Sequence, residues 1–332
     1  MSQAEKSYTA RDFDTDQHAR WCAGCGDTAI LASVKQVLAN SGKNKEDIAF
    51  ISGIGCSSRF PYYVDTYGMH AIHGRAIAIA SGLKVHNPEL SVWVVTGDGD
   101  GLAIGGNHFI HALRRNIDLN ILIFNNEIYG LTKGQYSPTS RMGQRTSTSP
   151  FGTIEQPFSP AQLALGAGAS FFARSTASEL KHLQKVLARA EAHQGTSVVE
   201  IYQNCVIFND KAFNDFLGKE NRDDKTVKLE HGEKLIFGKN KEKAIIYQAG
   251  SLQITNVSDA KPEDIVIHNE QDMNKAFMLA RMEEVKPLGV FRAVEEPEYT
   301  DKLLHQIGIE EQNGTPADMQ SLLMAGDTWE IS

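Results

Sequence analysis

Apolar runs typical of buried strands alternate with helical patterns along the first two thirds of the chain. The apolar runs predict strands over 47–52, 91–96, 119–124 and 197–202. Helical spacing predicts a first helix with its apolar face formed by residues from Ile30 to Leu38, and two further helices over 73–85 and 104–115. A fourth helix is predicted to begin near Leu180, after a capping box of Thr176 and Glu179. Strands that are apolar throughout and separated by helices predict an α/β fold, with a doubly wound, mostly parallel sheet covered on both faces.

The composition becomes more polar after Asn209, where 17 of the 34 residues from Asp210 to Lys243 are charged. Residues 235–247 predict a hairpin with a polar turn, and 264–269 and 289–294 predict later strands. We therefore expect an N-terminal arm over 1–20, a main domain over 21–209 and a polar C-terminal extension over 210–332. The extension is expected either to be a solvated appendage or to wrap a partner subunit.

Composition and charge exclude several classes of protein. A chain of 332 residues with 41% apolar and 22% charged residues can bury a core, which excludes a disordered or fibrous protein. Four cysteines are too few for a disulfide scaffold, and no apolar run is long enough for a membrane helix. The N-terminus lacks the apolar core of a signal peptide, so we expect a cytoplasmic, reducing location. A net charge of −8 argues against general nucleic-acid binding but not against an acidic protein partner, which needs only a local patch.

A glycine-rich acidic motif and an asparagine pair follow two predicted neighbouring strands. Gly97-Asp98-Gly99-Asp100-Gly101 comes directly after the strand over 91–96, and Asn125-Asn126 ends the strand over 119–124. Ligands of parallel sheets bind at the carboxyl ends of strands, so Asp98 and Asn126 can converge there. Glycines let the backbone approach phosphate oxygens, and carboxylate and amide oxygens are ligands that suit Mg²⁺. The motif pair therefore indicates a metal-bound diphosphate.

This pair of motifs resembles the thiamine-diphosphate motif of thiamine-dependent enzymes. The resemblance implies that Asp98, Asn126 and the backbone carbonyl of Ile128 bind Mg²⁺. It further implies that a second set of residues lies along the diphosphate: Gly99, Asp100, Gly130 and Leu131.

The four cysteines lie in three separate segments, as Cys22-x-x-Cys25, Cys56 and Cys205. Two thiolates at Cys-x-x-Cys spacing can bind one metal centre, and four can complete a [4Fe–4S] cluster or a tetrahedral zinc site. The pair could also be a redox dithiol, with Cys205 an ordinary buried residue. Spacing alone leaves a cluster, zinc and unrelated thiols open.

The order of these motifs resembles the β subunit of 2-oxoacid:ferredoxin oxidoreductases over about residues 18–210. The resemblance rests on WCAGC at 21–25, GCS at 55–57, GDGD, NNEIYG and the late cysteine, together with HGRAIAIASGLK at 73–84 and LTKGQYSPTS at 131–140. It implies a sheet of the thiamine-diphosphate-binding type and one [4Fe–4S] cluster held by Cys22, Cys25, Cys56 and Cys205. It also implies cofactor contacts from Gly55, Ser57 and His73, with a helix-capping or core histidine as the alternative for His73.

The resemblance implies oxidative decarboxylation of a 2-oxoacid with coenzyme A as co-substrate, with electrons passing through the cluster to ferredoxin. In that family the glutamate that activates thiamine diphosphate lies on a different, pyrimidine-binding domain. We therefore assign no catalytic glutamate here. The chain is expected to be inactive without an α subunit that carries this domain, in an assembly with two copies of each subunit.

Two cations bear on the choice of substrate. Arg59 follows the Cys56 motif and Lys133 follows the Mg²⁺ loop, and two cations would suit a dicarboxylate such as 2-oxoglutarate. Both could instead be solvated charges or contacts to coenzyme A phosphates. The alternatives are the same chemistry on pyruvate or a branched 2-oxoacid, a non-redox thiamine-dependent decarboxylase or carboligase, and a zinc-stabilised interaction module without enzymatic activity.

Overall fold

The fold consists of a main sheet and a small second sheet, in a computed structural model that describes residues 7–313, 318–329 and 331. The strands are β1 Ile48–Ser52, β2 Tyr67–His70, β3 Ser91–Gly97, β4 Asn120–Asn125, β5 Phe171–Thr176, β6 Ser197–Tyr202, β7 Thr226–Leu229, β8 Ile236–Phe237, β9 Lys243–Gln248, β10 Ser251–Asn256 and β11 Lys286–Ala293. The main sheet has the order β2-β1-β3-β4-β6-β5-β11-β7, and β8–β10 form an antiparallel sheet of three strands. Within the main sheet every pair is parallel except β5–β11, which confirms the predicted fold class.

Helices cover both faces of the main sheet. They are α1 Gly26–Ala39, α2 Ala76–His86, α3 Asp98–Leu102, α4 Gly106–Arg115, α5 Pro160–Gly166, α6 Leu180–Ala192, α7 Asn214–Leu217, α8 Arg222–Lys225, α9 Met273–Ala280, α10 Tyr299–Asn313 and α11 Met319–Leu323. Within the ranges that the structure describes, no helix has the length and apolar character needed to cross a bilayer.

Alternate side chains of each central strand enter two separate cores, because successive residues of a strand point to opposite faces. Trp93 and Leu122 pack in the core beneath α1 and α6. Val94 and Ile121 pack in the opposite core, beneath α2, α4, α5 and α9. This double burial is the physical reason that most residues of the central strands are apolar.

The strand prediction succeeded for β1, β3, β4 and β6 and missed the exposed edge strand β2 and the buried but partly polar strand β5. The edge strand β2 is exposed at all four residues, and β5 contains the polar sequence Arg174-Ser175-Thr176, so neither has the signature of a buried strand. The predicted capping box was wrong, because Thr176 is the last residue of β5 and Glu179 itself precedes the first turn of α6. The predicted strand over 264–269 forms only isolated bridges at Ile265 and Ile267.

The segment after residue 209 is partly built into the main sheet. Strand β11 pairs antiparallel with β5, placing Val290 opposite Ala173, and β7 pairs with the other side of β11. The Phe291 and Phe172 rings pack with centroids 5.5 Å apart. The main sheet therefore crosses the predicted boundary at 209, and this part of the segment is not the solvated appendage that its charge suggested. The predicted hairpin is present, with Phe237 opposite Lys243.

The predicted N-terminal arm is in contact with the core in its described part. Phe13 is fully buried in the core beneath α1. Asp14 accepts a 2.7 Å ion pair from Lys35 of α1. The arm is thus anchored by one aromatic ring and one charge pair before the chain reaches the Cys22 loop.

Candidate active site

A cavity of about 330 Å³ lies at the carboxyl edge of the sheet, where the loops after β1, β3 and β4 meet. The residues predicted to bind Mg²⁺ all line it, as do all those predicted to contact the cofactor. Its lining includes Gly55, Cys56, Ser57, His73, Asp98, Gly99, Asp100, Asn126, Ile128, Gly130 and Leu131. The fold thus brings together residues from four sequence segments that the motifs alone could only suggest were close.

Asp98 is a buried carboxylate held in a fixed orientation by hydroxyl groups. Its Oδ2 accepts hydrogen bonds of 2.5 Å from Ser137 and 2.6 Å from Thr139. Burial raises the pKa of Asp98 above its ordinary value, while these hydrogen bonds oppose the rise. A buried carboxylate of this kind gains stability from a bound cation, so its environment fits a Mg²⁺ ligand.

Asn126 is fixed by bonds at both ends of its amide. Its nitrogen donates to Gln203 Oε1 at 2.9 Å, and its oxygen accepts from the Ile128 backbone N–H at 3.2 Å. The amide oxygen is therefore assigned by this network, and it lies in the same cavity as Asp98. One carboxylate and one oriented amide oxygen fit the predicted donor set for Mg²⁺.

The two motifs are held together through Gly99 and Tyr129. The Tyr129 hydroxyl donates to the Gly99 carbonyl at 2.8 Å. A Cβ on Gly99 would lie only 2.3 Å from the Tyr129 ring, so a side chain there would separate the two loops. Sequence reasoning did not single out Tyr129, Gln203, Ser137 or Thr139, although all lie inside or beside the motifs quoted above.

Asp100 lines the cavity, yet its carboxylate is occupied by protein donors. Its Oδ1 accepts from Ile54 N at 3.0 Å, Gly74 N at 2.7 Å and His73 Nδ1 at 2.8 Å, and its Oδ2 accepts from Thr96 Oγ1 at 2.6 Å. These bonds join the loops after β1, β2 and β3. Asp100 therefore positions these loops. Direct contact of its side chain with a diphosphate stays a prediction, and repulsion between the carboxylate and the phosphate charges disfavours it.

His73 is oriented by the same carboxylate. The bond from Nδ1 to Asp100 assigns that nitrogen as the N–H, because a carboxylate can only accept. The centroids of the His73 and Tyr129 rings are 6.2 Å apart. His73 lines the cavity, and its Nε2 is the ring nitrogen that Asp100 does not bind. Its predicted contact with a cofactor would therefore be made through Nε2.

All four cysteines line a second, adjoining cavity of about 210 Å³. Cys56, Asn126, Gly130 and Leu131 line both cavities, so a single layer of chain separates them. A Cβ on Gly130 would lie 3.4 Å from Cys205 Sγ and 3.8 Å from Cys56 Sγ. Two segments far apart in sequence thus bring their sulfur atoms to the wall of the first cavity.

The thiols of the second cavity fit a metal-bound group better than free thiolates. Burial raises the pKa of Cys25 to about 12 and that of Cys56 to about 11. Gln203 Nε2 lies 3.1 Å from Cys25 Sγ, which links this thiol to the amide of Asn126. Across the described residues, no three Cys, His, Asp or Glu side chains are close enough together to hold a single ion.

The structure separates the two cations that were predicted to bind the substrate. Arg59 lines the cysteine cavity, and its Nη1 donates to the Arg20 carbonyl at 3.0 Å. Lys133 is exposed, has a positive φ of 76° and lines neither the cofactor cavity nor the cysteine cavity. Their role at a substrate carboxylate therefore stays a prediction that has no supporting contact.

Known proteins share both the domain and the whole architecture. Residues 53–201 match the model of the "Thiamine pyrophosphate enzyme, C-terminal TPP binding domain". The chain is also 48% identical, over 97% of its length and 88% of the relative's, to the 2-oxoglutarate oxidoreductase subunit KorB of Mycobacterium tuberculosis. The chain belongs to the family of 2-oxoacid:ferredoxin oxidoreductase β subunits.

Two further relatives extend this comparison. The 2-oxoglutarate synthase subunit KorB of Archaeoglobus fulgidus is 49% identical over 185 residues, covering 56% of this chain and 69% of that one. A solved structure, 2-oxoglutarate:ferredoxin oxidoreductase from Magnetococcus marinus with 2-oxoglutarate, coenzyme A and succinyl-CoA bound, matches with a TM-score of 0.78 and 32% identity over 97% of both chains. The similarity to this structure includes the strands that follow residue 209.

Proposed function

We propose that this chain is the β subunit of an enzyme that converts 2-oxoglutarate and coenzyme A to succinyl-CoA and CO₂, and that passes the electrons to ferredoxin. The reaction releases two electrons and one proton for each 2-oxoglutarate, which two one-electron carriers accept in turn. The observation that carries the proposal is the shared wall, formed in part by Cys56 and Gly130, between the diphosphate-motif cavity and the four-cysteine cavity.

The first cavity is proposed to hold thiamine diphosphate with Mg²⁺. Asp98, Asn126 and the Ile128 carbonyl would bind the ion, and backbone at Gly99 and Gly130 would lie along the diphosphate. Bound there, the cofactor supplies the electron sink that decarboxylation of a 2-oxoacid requires. The chain's own contribution is to fix the ligands through Ser137 and Thr139 and to aim His73 Nε2 into the cavity through Asp100.

The second cavity is proposed to hold one [4Fe–4S] cluster on Cys22, Cys25, Cys56 and Cys205. In such a cluster each cysteine binds a different iron, so the four thiolates do not converge on one point. The four cysteines that line this one cavity, together with the named relatives, support this reading. A redox group across a one-layer wall from the cofactor also argues against a non-redox decarboxylase, which would have no use for it.

Activity is proposed to require an α subunit. The family's activating glutamate lies on a pyrimidine-binding domain, and this chain is proposed to supply only the diphosphate-binding half. An assembly of two α and two β subunits would place the two halves of each cofactor site on different chains. Both relatives are named as subunits, which supports the need for a partner subunit.

The preferred substrate is proposed to be 2-oxoglutarate. The names of the Mycobacterium tuberculosis and Magnetococcus marinus relatives, which match nearly the whole chain, support it. Because Arg59 and Lys133 lie outside the cofactor cavity, the two-cation argument adds no weight. Cations that recognise the second carboxylate of the substrate are then expected on the α subunit. Pyruvate is the competing substrate that the test must exclude.

The test is anaerobic reduction of a viologen by the chain co-expressed with its neighbouring subunit, with coenzyme A and either 2-oxoglutarate or pyruvate. We expect strong reduction that depends on 2-oxoglutarate. Activity on pyruvate alone would contradict the substrate. No reduction with either acid, in protein shown to contain iron, sulfide and thiamine diphosphate, would contradict the reaction.

A second test addresses the cluster ligands. Cys25→Ser should remove the brown colour, the bound iron and the electron transfer, while Mg²⁺-dependent binding of thiamine diphosphate stays largely intact. Ala23→Ser is the matched control, because it adds the same hydroxyl to the same exposed loop without removing a thiol. A Cys25→Ser protein with full iron content and normal electron transfer would refute the assignment.

A further inference from the structure

Glu127 lies between Asn126 and Ile128, the two metal ligands proposed on this loop, and has a backbone conformation that suits glycine. Its φ is +55°, in the left-handed region, where the Cβ of an L residue crowds the following carbonyl. A conformation of this kind persists only where the surrounding structure holds it. The directions of the Asn126 amide and the Ile128 carbonyl therefore depend on the contacts that hold Glu127.

The side chain of Glu127 has a cationic partner outside the cofactor cavity. Arg141 Nε donates to Glu127 Oε2 at 3.1 Å, and the Glu127 side chain is only 14% exposed. Both residues line a separate cavity of about 610 Å³, and neither lines the cofactor cavity. Arg141 therefore acts on the metal loop from behind, without touching the cofactor site itself.

Arg141 is itself fixed by the segment that follows residue 209. Its Nη1 donates to Asp215 Oδ2 at 2.9 Å, and its Nη2 donates to the Ala212 carbonyl at 2.6 Å. Because the guanidinium is planar and presents its donors in a rigid fork, these two bonds fix the direction in which Nε meets Glu127.

The residues just before Arg141 hold the other parts of the same site. Ser140 Oγ donates to the Glu127 carbonyl at 2.6 Å, and two further hydroxyls of this segment hold Asp98. The segment 137–141 thus contacts both the Asp98 carboxylate and the loop that carries the other two proposed ligands. It fixes the distance between groups that come from the ends of two different strands.

We propose that Arg141 is a positioning residue for the proposed Mg²⁺ site. By binding Glu127, it keeps the loop over 126–128 in the one conformation that presents both loop ligands to the ion. The inference rests on the proposed function, because it takes the three metal ligands from there. Mg²⁺ demands near-ideal octahedral geometry, whereas Ca²⁺ accepts irregular sets of oxygen ligands. A displaced loop should therefore weaken the binding of Mg²⁺ more than that of Ca²⁺.

The experiment measures metal-dependent binding of thiamine diphosphate to the complex of both subunits, after a chelator has removed the metal and the cofactor. Arg141→Ala is titrated with Mg²⁺ or Ca²⁺ at a fixed cofactor concentration, and bound cofactor is measured by equilibrium dialysis. The control is Arg145→Ala, which removes an exposed cation from the same loop four residues further along. Urea unfolding without metal reports the stability of each variant separately.

We expect Arg141→Ala to raise the dissociation constant for Mg²⁺ about tenfold, on the scale of residues that orient metal ligands, and that for Ca²⁺ by less than about threefold. Charge alone predicts the opposite sign for Mg²⁺, because loss of the guanidinium leaves an unpaired carboxylate near the site, which attracts a cation. Arg145→Ala should change neither dissociation constant.

Substitution of Glu127 in the Arg141→Ala protein tests the mechanism directly. Glycine adopts the left-handed conformation at no steric cost, whereas alanine does not. Adding Glu127→Gly should therefore return the Mg²⁺ dissociation constant to within about threefold of wild type, and adding Glu127→Ala should leave it raised about tenfold.

The outcomes separate this inference from the proposed function. Wild-type protein that binds thiamine diphosphate equally well without a divalent cation contradicts the proposed Mg²⁺ site. Cation-dependent binding in wild type, with an unchanged or lower Mg²⁺ dissociation constant in Arg141→Ala, overturns the positioning role alone. A loss of Mg²⁺ binding that Glu127→Gly does not relieve, together with a lower free energy of unfolding, would give Arg141 a purely structural role and also overturn the proposal.

Discussion

Asp98 and Asp100 are two positions apart in one motif, and the structure predicts opposite consequences for their substitution. Asp100 accepts four hydrogen bonds, from Ile54 N, Gly74 N, His73 Nδ1 and Thr96 Oγ1, that join three loops. Asp98 accepts from two hydroxyls that can rotate to other partners. Asp100 is therefore expected to stabilise the fold, whereas Asp98 is expected to bind the ligand.

The expected loss of stability in Asp100→Ala follows from the hydrogen-bond donors that would lose their acceptor. An unsatisfied buried donor costs about 1–3 kcal/mol, and the half-exposed His73 ring can turn to water while the other three donors cannot all do so. The free energy of unfolding should fall by about 3–5 kcal/mol. Asp100→Asn keeps an oxygen for the Oδ1 donors and can donate to the Thr96 hydroxyl, so it should cost only about 1–2 kcal/mol.

Asp98→Asn is expected to change stability little, because it removes a buried carboxylate whose burial raises its pKa. Its dissociation constant for thiamine diphosphate in the presence of Mg²⁺ should rise by at least about tenfold. The assays are urea unfolding of cofactor-free protein and titration with the cofactor. Equal stability of Asp100→Ala and wild type, or a greater loss of stability in Asp98→Asn than in Asp100→Asn, would refute the reasoning.

Three further predictions concern the scaffold. Burial lowers the pKa of His182 to about 4, below its value in the unfolded chain, so neutral His182 contributes its full stability above about pH 6.5 and loses it as the pH falls toward 4. The free energy of unfolding should therefore be about 2 kcal/mol lower at pH 5 than at pH 7.5. His182→Gln should remove this part of the pH dependence. Gly53→Ala would put a Cβ 1.8 Å from Asp100 Oδ2 and should abolish cofactor binding, whereas Gly106→Ala, with open space around it, should not. Arg174→Met leaves Glu200 buried without its 2.7 Å partner, so urea unfolding should show a loss of about 3–5 kcal/mol in the free energy of unfolding. The double variant Glu200→Gln/Arg174→Met should lose less stability than Arg174→Met alone.

The sequence predicted the centre of the sheet well because physics leaves few choices there. Strands β1, β3, β4 and β6 are buried on both faces, so most of their residues are apolar, and their carboxyl ends meet at one edge. The convergence of Asp98 and Asn126 was therefore predictable from the strand ends, whereas the other residues of the first cavity were predicted from the family resemblance.

The features that the sequence did not reveal depend on distant pairing. Arg174 makes β5 look polar, but its charge is neutralised inside the sheet by Glu200 from the neighbouring strand. Strand β11 was expected to exist, yet nothing local indicates that it pairs with β5. The same limit applies to Arg59 and Lys133, since a charge near a motif carries no information about which cavity it faces.

The pairing of β5 with β11 has a consequence for how this chain emerges during synthesis. When residues up to 209 have been made, β5 has β6 on one side and an open edge on the other, because its second neighbour is still to be translated. An open strand edge, with its unpaired backbone N–H and C=O groups, is a template for pairing with other chains. The nascent chain therefore passes through an aggregation-sensitive interval that ends only when Lys286–Ala293 is delivered, and a shortened gene ending near 209 would make that interval permanent.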